Sequence, residues 1–362
     1  MSNARKLADN LPTDGQLGNR NVIINGDMTI DQRNSGSAIS SLGQYTTYTV
    51  DRWKYYSDQA GKFSFQQNQS SVTPPVGFAK YLGLTSLSAF SAGTNESLTI
   101  SQHVEGFNSA QLNWGTSSAK TCTLSFYVRS SLTGTFSGAL VGGQNYIFTY
   151  SISSANTWEH KTITITGSTT GTWNTNNTSG VRVLFTLGYG SGQVGTANAW
   201  QSADLAASGS VQVAGTSGAT FYLTGVQLEV GPQSTPFEHE PYETTLRKCQ
   251  RYYYAHLKTG TATKYIGMGD MYTTTQLDFQ VNFPVPMRAT PTLIQSSGTD
   301  YYRGYGGNGS LTVSNNWNYW LTNTENTVGS HFVQANSSTT AGFAMRIINI
   351  SASAALAYDA EL

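Results

Sequence analysis

The sequence holds 362 residues, room for about two domains at ~150 residues each and enough chain to bury sizeable cores. Only 11 % of the residues are charged, and 20 basic residues offset 20 acidic ones. That balance argues against the basic face a nucleic-acid partner requires and against a polybasic membrane anchor. Aromatic residues reach 12 %, with 21 Tyr, unlike disordered chains; no run of ~20 apolar residues offers a membrane span, and the opening MSNARKLADNLPTDG lacks the apolar stretch of a secretory signal.

Residues 1–20 read as a separate arm, with a short helix around Lys6–Leu11 that stops at Pro12 and is too short to stand alone in water. It is either a frayed terminus or a docking peptide. From Asn21 the signals are β. NVIINGDMTIDQR alternates, with Val22, Ile24, Met28 and Ile30 on an inward face. Short β-branched and aromatic runs follow, separated by Gly, Asn, Ser and Pro clusters. In KTCTLSFYVRS, Cys122, Leu124, Phe126 and Val128 share one face. In ATFYLTGVQLEV the parity changes at Gly225, which predicts a bulge or kink. The number and spacing of these runs predict a two-sheet antiparallel sandwich of jelly-roll kind over 21–230. Pro232, Pro236 and Pro241 mark a linker, 231–254, with a short helix from Glu243 to Tyr253. Beyond it, 255–362 reads as a second, smaller β-sandwich, in which Leu277, Phe279, Val281 and Phe283 alternate with polar residues. The fold class is therefore all-β: an N-terminal arm, a jelly-roll-like sandwich, then a smaller β-sandwich.

Cys122 and Cys249, the only cysteines, form no metal-ligand or redox spacing and read as free thiols of a chain that folds in a reducing compartment. The five histidines fall at no metal-binding spacing, and neither a nucleophile elbow nor a phosphate loop is present. Asp27 and Asp31 would share a strand face, Glu238 and Glu240 flank His239 in a Pro-rich linker, and Asp270, Asp278 and Asp300 sit in three separate β segments that nothing in the sequence brings together. A catalytic site needs a nucleophile, an acid or base and an orienting group at once, so no enzyme is expected.

Binding is better supported. Tyr and Trp offer apolar area and a polar edge at low entropic cost. SGTDYYRGYGGNGSLTVSNNWNYW gathers Tyr301, Tyr302, Tyr305, Trp317, Tyr319 and Trp320 among Gly, Asn and Ser, and reads as a loop-rich, aromatic-tipped surface, with Arg303 available to an acidic group. The alternative is that Trp317 and Trp320 fill the core of a small β-domain. Trp114, Trp158, Trp173 and Trp200 form a second candidate set in the first domain, with Trp173 and Trp200 in polar, loop-like surroundings.

The order NGD (25–27), DRW (51–53), FYLTGVQLE (221–229), TPFE (235–238) and CQRYY (249–253) resembles a module of phage virion appendages and tail fibres, which is itself similar to the jelly-roll carbohydrate-binding modules of glycoside hydrolases. MSNARKLADNLP is similar to the N-terminal arm of some phage fibre proteins. The resemblance implies a phage structural protein, assembled in the host cytoplasm. It would attach to other virion proteins through residues 1–20 (Arg5, Lys6, Leu7 and Leu11), form a homotrimer and recognise a host surface glycan. A capsid decoration or connector without a ligand is the alternative, and a glycan depolymerase a third. Many such jelly rolls hold a structural calcium with acidic residues near the first and last strands. Here Thr29, Thr224 and Gly225 stand at those positions and Asp27 alone remains, so no cofactor is expected, with a structural calcium as the alternative.

Overall fold

The computed structural model describes residues 19–306, 309–315, 317–321, 326–334 and 340–362. Its β-strands are joined almost throughout by antiparallel pairing, and the chain divides into two compact units, one ending at Thr245 and the other spanning Leu246–Glu361.

The first unit runs through β1 (Tyr45–Tyr48), β2 (Lys54–Ser57), β3 (Phe63–Gln67), β4 (Leu82–Ser86), β5 (Ser97–Glu105), β6 (Cys122–Ser130), β7 (Gly134–Val141), β8 (Asn145–Ile152), β9 (Glu159–Ile165), β10 (Ser179–Tyr189), β11 (Val194–Gly195), β12 (Trp200–Gln201), β13 (Ala206–Ala207) and β14 (Thr220–Val230). These make a seven-stranded sheet, β1-β2-β5-β10-β7-β8-β12, and a five-stranded sheet, β3-β4-β14-β6-β9. Period-two alternation sends one row of each strand inward. Trp53, just before β2, and Ile100, Phe148 and Phe185 from one sheet pack with Phe65, Phe126, Phe221 and Leu223 from the other in a single core. Phe185 lies near its centre, edge-on to Phe126 at 4.9 Å and 6.3 Å from Phe221. Cys122 and Cys249 are buried and form no disulfide.

The opening segment departs from the expected strand. Residues 21–36 form successive turns, with Asn25 at φ +57 and Met28 at φ +61. Val22, Met28 and Ile30 are buried as expected, but Ile23 replaces Ile24 on the inward side. Side chains do the work of a ladder. The Asn25 amide donates to the Ile30 and Asp51 carbonyls (2.9 Å each) and accepts from the Ile30 N–H. The Trp53 indole donates to the Asn25 carbonyl at 3.1 Å. Buried Asp51 accepts from the Gln32 backbone N–H and side-chain amide. The same segment is tied to the last strand: Val22 N–H donates to Leu228 O at 3.0 Å and Val226 N–H to Gly26 O at 2.9 Å. The Asn21 carboxamide oxygen accepts from both Ile23 and Leu228 N–H.

The parity change in β14 is a bulge between Thr224 and Gln227. Gly225 sits there at φ +61, and a Cβ on it would lie 2.7 Å from the Phe78 ring, so the backbone conformation and the seat of Phe78 both require glycine. Past the bulge, Gln227 and Glu229 point away from the core but are themselves buried. Glu229 accepts from the Gln227 amide (2.9 Å) and from the Thr235 N–H (2.8 Å) and hydroxyl (2.7 Å). Glu238 accepts from the Asn21 N–H at 2.8 Å, and its own N–H donates to the Gln227 carboxamide at 2.8 Å.

A helix, Tyr242–Gln250, follows the linker, starting and ending slightly before the expected bounds. The second unit contains β15 (Tyr253–Leu257), β16 (Tyr265–Met271), β17 (Gln276–Asn282), β18 (Thr292–Gln295), β19 (Gly298–Gly306), β20 (Gly309–Asn315), β21 (Asn318–Leu321), β22 (Val328–Gln334), β23 (Ala344–Asn349) and β24 (Leu356–Asp359). They form a three-stranded sheet, β15-β24-β18, and a seven-stranded sheet, β20-β19-β23-β16-β17-β22-β21. Leu277, Phe279, Val281, Met345, Ile347, Leu356 and Tyr358 belong to one core. Within it the Tyr358 hydroxyl and the His331 ring are hydrogen-bonded at 2.8 Å; burial, with His256 nearby, lowers His331 to about 4 and keeps it neutral.

Removing the Glu229 carboxylate takes the main acceptor from three donors, on buried Gln227 and half-buried Thr235. Glu229→Ala is expected to lower the unfolding free energy by about 3 kcal/mol, and Glu229→Gln by less; denaturant unfolding of both variants checks this, and an unchanged midpoint in Glu229→Ala contradicts it.

Candidate functional site

The outward face of the large sheet in the second unit carries the most ligand-like chemistry. With Leu277, Phe279 and Val281 turned to the core, Asp278 and Gln280 are turned out. Asp270 on β16 stands directly opposite Asp278 on β17. Farther along, Met268 faces Arg346 and Arg346 faces Tyr305, while Gln280 faces Ser330. Met268, Asp270, Tyr272, Asp278, Gln280 and Ser330 line a cavity of ≈ 540 Å³, within the ~300–1,000 Å³ of small-molecule sites. Tyr272 is 68 % exposed and Met268 63 %. Gly269 lets the two strands close up, since a Cβ there would run into the Asp278 carbonyl.

Like charges opposite one another on a sheet are unfavourable. Burial raises the Asp278 pKa, a hydrogen bond from the Gln276 amide (2.8 Å) pulls it back, and the Asp270 charge pushes it up again. The cavity thus sets an exposed aromatic ring beside carboxylate acceptors, an amide and a hydroxyl. That combination suits a ligand with apolar C–H faces and many hydroxyl groups.

The aromatic run singled out in the sequence is divided by strand pairing. Tyr301 to Tyr305 lie on β19, a strand rather than a loop tip, so neighbours point to opposite faces. Tyr302 and Trp317 are core residues, 1 % and 2 % exposed, which corrects the surface reading of Tyr302 and, of the two readings of Trp317, bears out the core. Trp317 packs on Phe279 at 4.5 Å and on Tyr302 at 5.5 Å. Tyr301 and Tyr319 are half-buried against the same core, Tyr319 beside His331 and Tyr358. Arg303 and Tyr305 sit opposite in parity to Tyr302, and the Arg303 guanidinium donates to the Tyr305 hydroxyl at 3.2 Å. The Trp320 side chain lies outside the described residues, as do Arg5, Lys6, Leu7 and Leu11. Sequence reasoning missed Tyr272 and Met268 and the meeting of Asp270 with Asp278. The outward parity of Asp278 and Gln280 was legible; the identity of the strand beside them was not.

In the first unit the structure brings Trp173 and Trp200 together with Trp114. The ring centroids are 4.9 to 5.7 Å apart and all three contacts are edge-on. Each indole N–H donates to a loop carbonyl: Trp114 to Lys120, Trp173 to Thr170 and Trp200 to Thr166. These interlocked rings, Trp114 buried and Trp173 and Trp200 half-buried, pin three loops to one another and form no flat stacking platform.

The residues present do not make a calcium cage. The Asp27 carboxylate accepts from the Thr29 hydroxyl at 2.6 Å, the Thr224 hydroxyl donates to the Lys80 carbonyl at 2.8 Å, and among the described residues no three acidic, His or Cys side chains gather.

No family model and no curated protein matches the sequence. Among solved structures the chain is similar to the family 11 carbohydrate-binding module of Clostridium thermocellum, in complex with a β-1,3-1,4-mixed-linked tetrasaccharide, at 14 % identity over 54 % of this chain and 99 % of that one, TM-score 0.27. It is also similar to TmCBM61, in complex with β-1,4-galactotriose, at 11 % identity over 59 % and 99 % of the two chains, TM-score 0.30. The enzymatically active domain of tailspike protein 4 of bacteriophage CBA120 matches at 11 % identity over 58 % of this chain, TM-score 0.30, and the match spans only 21 % of the tailspike chain. These likenesses concern architecture and bear on neither ligand nor role.

Asp278 holds its proton more tightly folded than unfolded. Its contribution to stability is therefore full below the unfolded carboxylate pKa and is lost as pH rises through the raised folded value. Asp270→Asn removes the like charge and is expected to raise stability at neutral pH by about 0.5 kcal/mol and to flatten the pH profile; unfolding midpoints at mildly acidic and neutral pH measure both effects.

Proposed function

We propose that this chain is a phage virion structural protein, a tail fibre or related appendage, that binds a glycan of the host surface and acts as a binder rather than an enzyme. The cavity of the second unit carries the reading: an exposed Tyr272 and Met268 beside Asp270, Asp278, Gln280 and Ser330 is a stacking surface rimmed by acceptors and donors for hydroxyl groups. Support also comes from the ordered motifs of residues 21–253 that resemble phage appendage modules. On this reading residues 1–20 attach the chain to other virion proteins, and a homotrimer presents three copies of a weak site, which gain avidity where the host surface lets them engage together. The particle is then its place of action, after assembly in the host cytoplasm.

A second reading has its own observation. Tyr265, Met268 and Tyr272 are 70 %, 63 % and 68 % exposed, and apolar groups left in water in this way also suit a contact between subunits. In that case the chain is a connector or decoration protein without a ligand.

One experiment separates the two. Binding of the full chain to an array of bacterial surface oligosaccharides is measured alongside its solution mass, for wild type and Tyr272→Ala. A glycan site predicts wild-type binding that weakens about tenfold in the variant, the equivalent of about 1.4 kcal/mol, with the mass unchanged. Loss of assembly in the variant, without glycan binding by wild type, favours the connector. A wild-type chain that shortens the bound oligosaccharide rejects the non-enzymatic assignment.

A further inference from the structure

The outward face of the seven-stranded sheet in the first unit is only partly covered. Residues around Ala197, Leu205 and Ala207 pack over Ala139, Ile147 and Leu184 at one side. On the β2-β5-β10 side the outward residues are polar. Ile100 and Val104 of β5 and Val181 and Val183 of β10 belong to the core, which turns Ser101, His103 and Arg182 the other way. His103 stands directly opposite Arg182 across β5 and β10, and Lys54 opposite Ser101 across β2 and β5.

This arrangement is electrostatically incomplete. Burial comes first in lowering His103 to about 2, and the charges of Lys54, Arg182 and Arg52 all push the same way. Burial likewise lowers Lys54 to about 8, with Arg182 and Arg52 adding to it. Several polar atoms are closed off from water without a hydrogen-bond partner: the Arg182 Nε, the His103 Nε2 and the hydroxyl of Ser101, a residue that is 0 % exposed. The His103 Nδ1 is occupied by the Ser179 hydroxyl at 2.9 Å. The Arg52 guanidinium donates to the His103 carbonyl, and the Lys54 ammonium donates to an oxygen of Leu362 at 3.2 Å that also accepts from the Tyr48 hydroxyl at 3.1 Å, so both cations act on Arg182 and His103 through their field. Glu105, the next outward residue of β5, has its own partner, and Asp58, past the end of β2, accepts from Tyr56 and Ser97. Unpaired buried donors and mutually repelling cations each cost stability, and an oxygen anion placed among them relieves both at once.

We propose that Arg182, His103 and Ser101 form a binding site for a small oxyanion, the carboxylate of an acidic sugar or a phosphate group of a surface polymer. This site is separate from the cavity of the second unit and stands whether or not that cavity binds a glycan. Arg182 supplies the charge and a planar fork of donors suited to either anion, Ser101 a hydroxyl donor, and His103 the Nε2 edge.

The test follows the thermal unfolding midpoint of the full chain against sodium glucuronate, inorganic phosphate and glucose, for wild type, Arg182→Gln and Ser101→Ala. The site predicts a concentration-dependent rise with glucuronate or phosphate and none with glucose; the larger rise identifies the source of the anion. Arg182→Gln is expected to lose the rise, and Ser101→Ala to reduce it. Without any anion, Arg182→Gln should unfold no earlier than wild type, because it removes a cation that burial disfavours. A rise that persists in Arg182→Gln, no rise with either anion in wild type, or a marked fall in the anion-free midpoint of Arg182→Gln each overturns the proposal, the last by showing that Arg182 is a structural residue.

Discussion

The first unit depends on a buried set of hydrogen bonds that ties its opening segment to its last strand. The opening segment is a string of turns and supplies few ladder bonds of its own. Asn21 and Asn25 fill the gap, because a carboxamide donates and accepts at once and so stands in for a peptide group. Asn25 closes the turn and holds the Asp51 carbonyl and, through its own backbone, the Trp53 indole. Asn21, Gln227, Glu229 and Glu238 link the far end of β14 and the linker to the same place. A polar network of this kind is favourable only when nearly every member is satisfied. These positions therefore constrain one another.

That network gives the family resemblance a physical meaning. The motifs NGD, DRW, GVQLE and TPFE contribute Asn25, Asp51, Trp53, Gln227, Glu229 and Glu238, all of which act inside the fold. Gly225 belongs with them, because its positive φ re-aims β14 and leaves a seat for Phe78. The motifs specify how a jelly roll closes on itself. They say little about what it binds, and the groups with spare bonding capacity lie elsewhere, on outward sheet faces.

Those faces differ in chemistry. In the second unit the outward face combines exposed Tyr272 and Met268 with a pair of opposed carboxylates; in the first it gathers Arg182, His103 and Lys54. Each is held on paired strands, which position side chains more firmly than loops do. A chain of zero formal net charge thus keeps two locally charged surfaces of opposite sign, a feature that overall charge balance conceals.

The sequence by itself determined the all-β class, the bulge at Gly225, the short helix before β15 and the inward row Leu277, Phe279 and Val281, because alternation, glycine and proline act through neighbours along the chain. It misread Asn21–Arg33 as a strand, since a segment whose hydrogen bonds run through its own side chains has the same apolar spacing as one bonded to a neighbour. It also placed Tyr302 at the surface, where composition suggested a loop, and left Trp317 open between that surface and the core. Only the tertiary structure decided which strands are neighbours, and with that the meeting of Asp270 with Asp278, of His103 with Arg182, and of Trp114 with Trp173 and Trp200. Local pattern fixes the face a residue points to. The residue opposite depends on register between segments far apart in the chain, which the folded core alone sets.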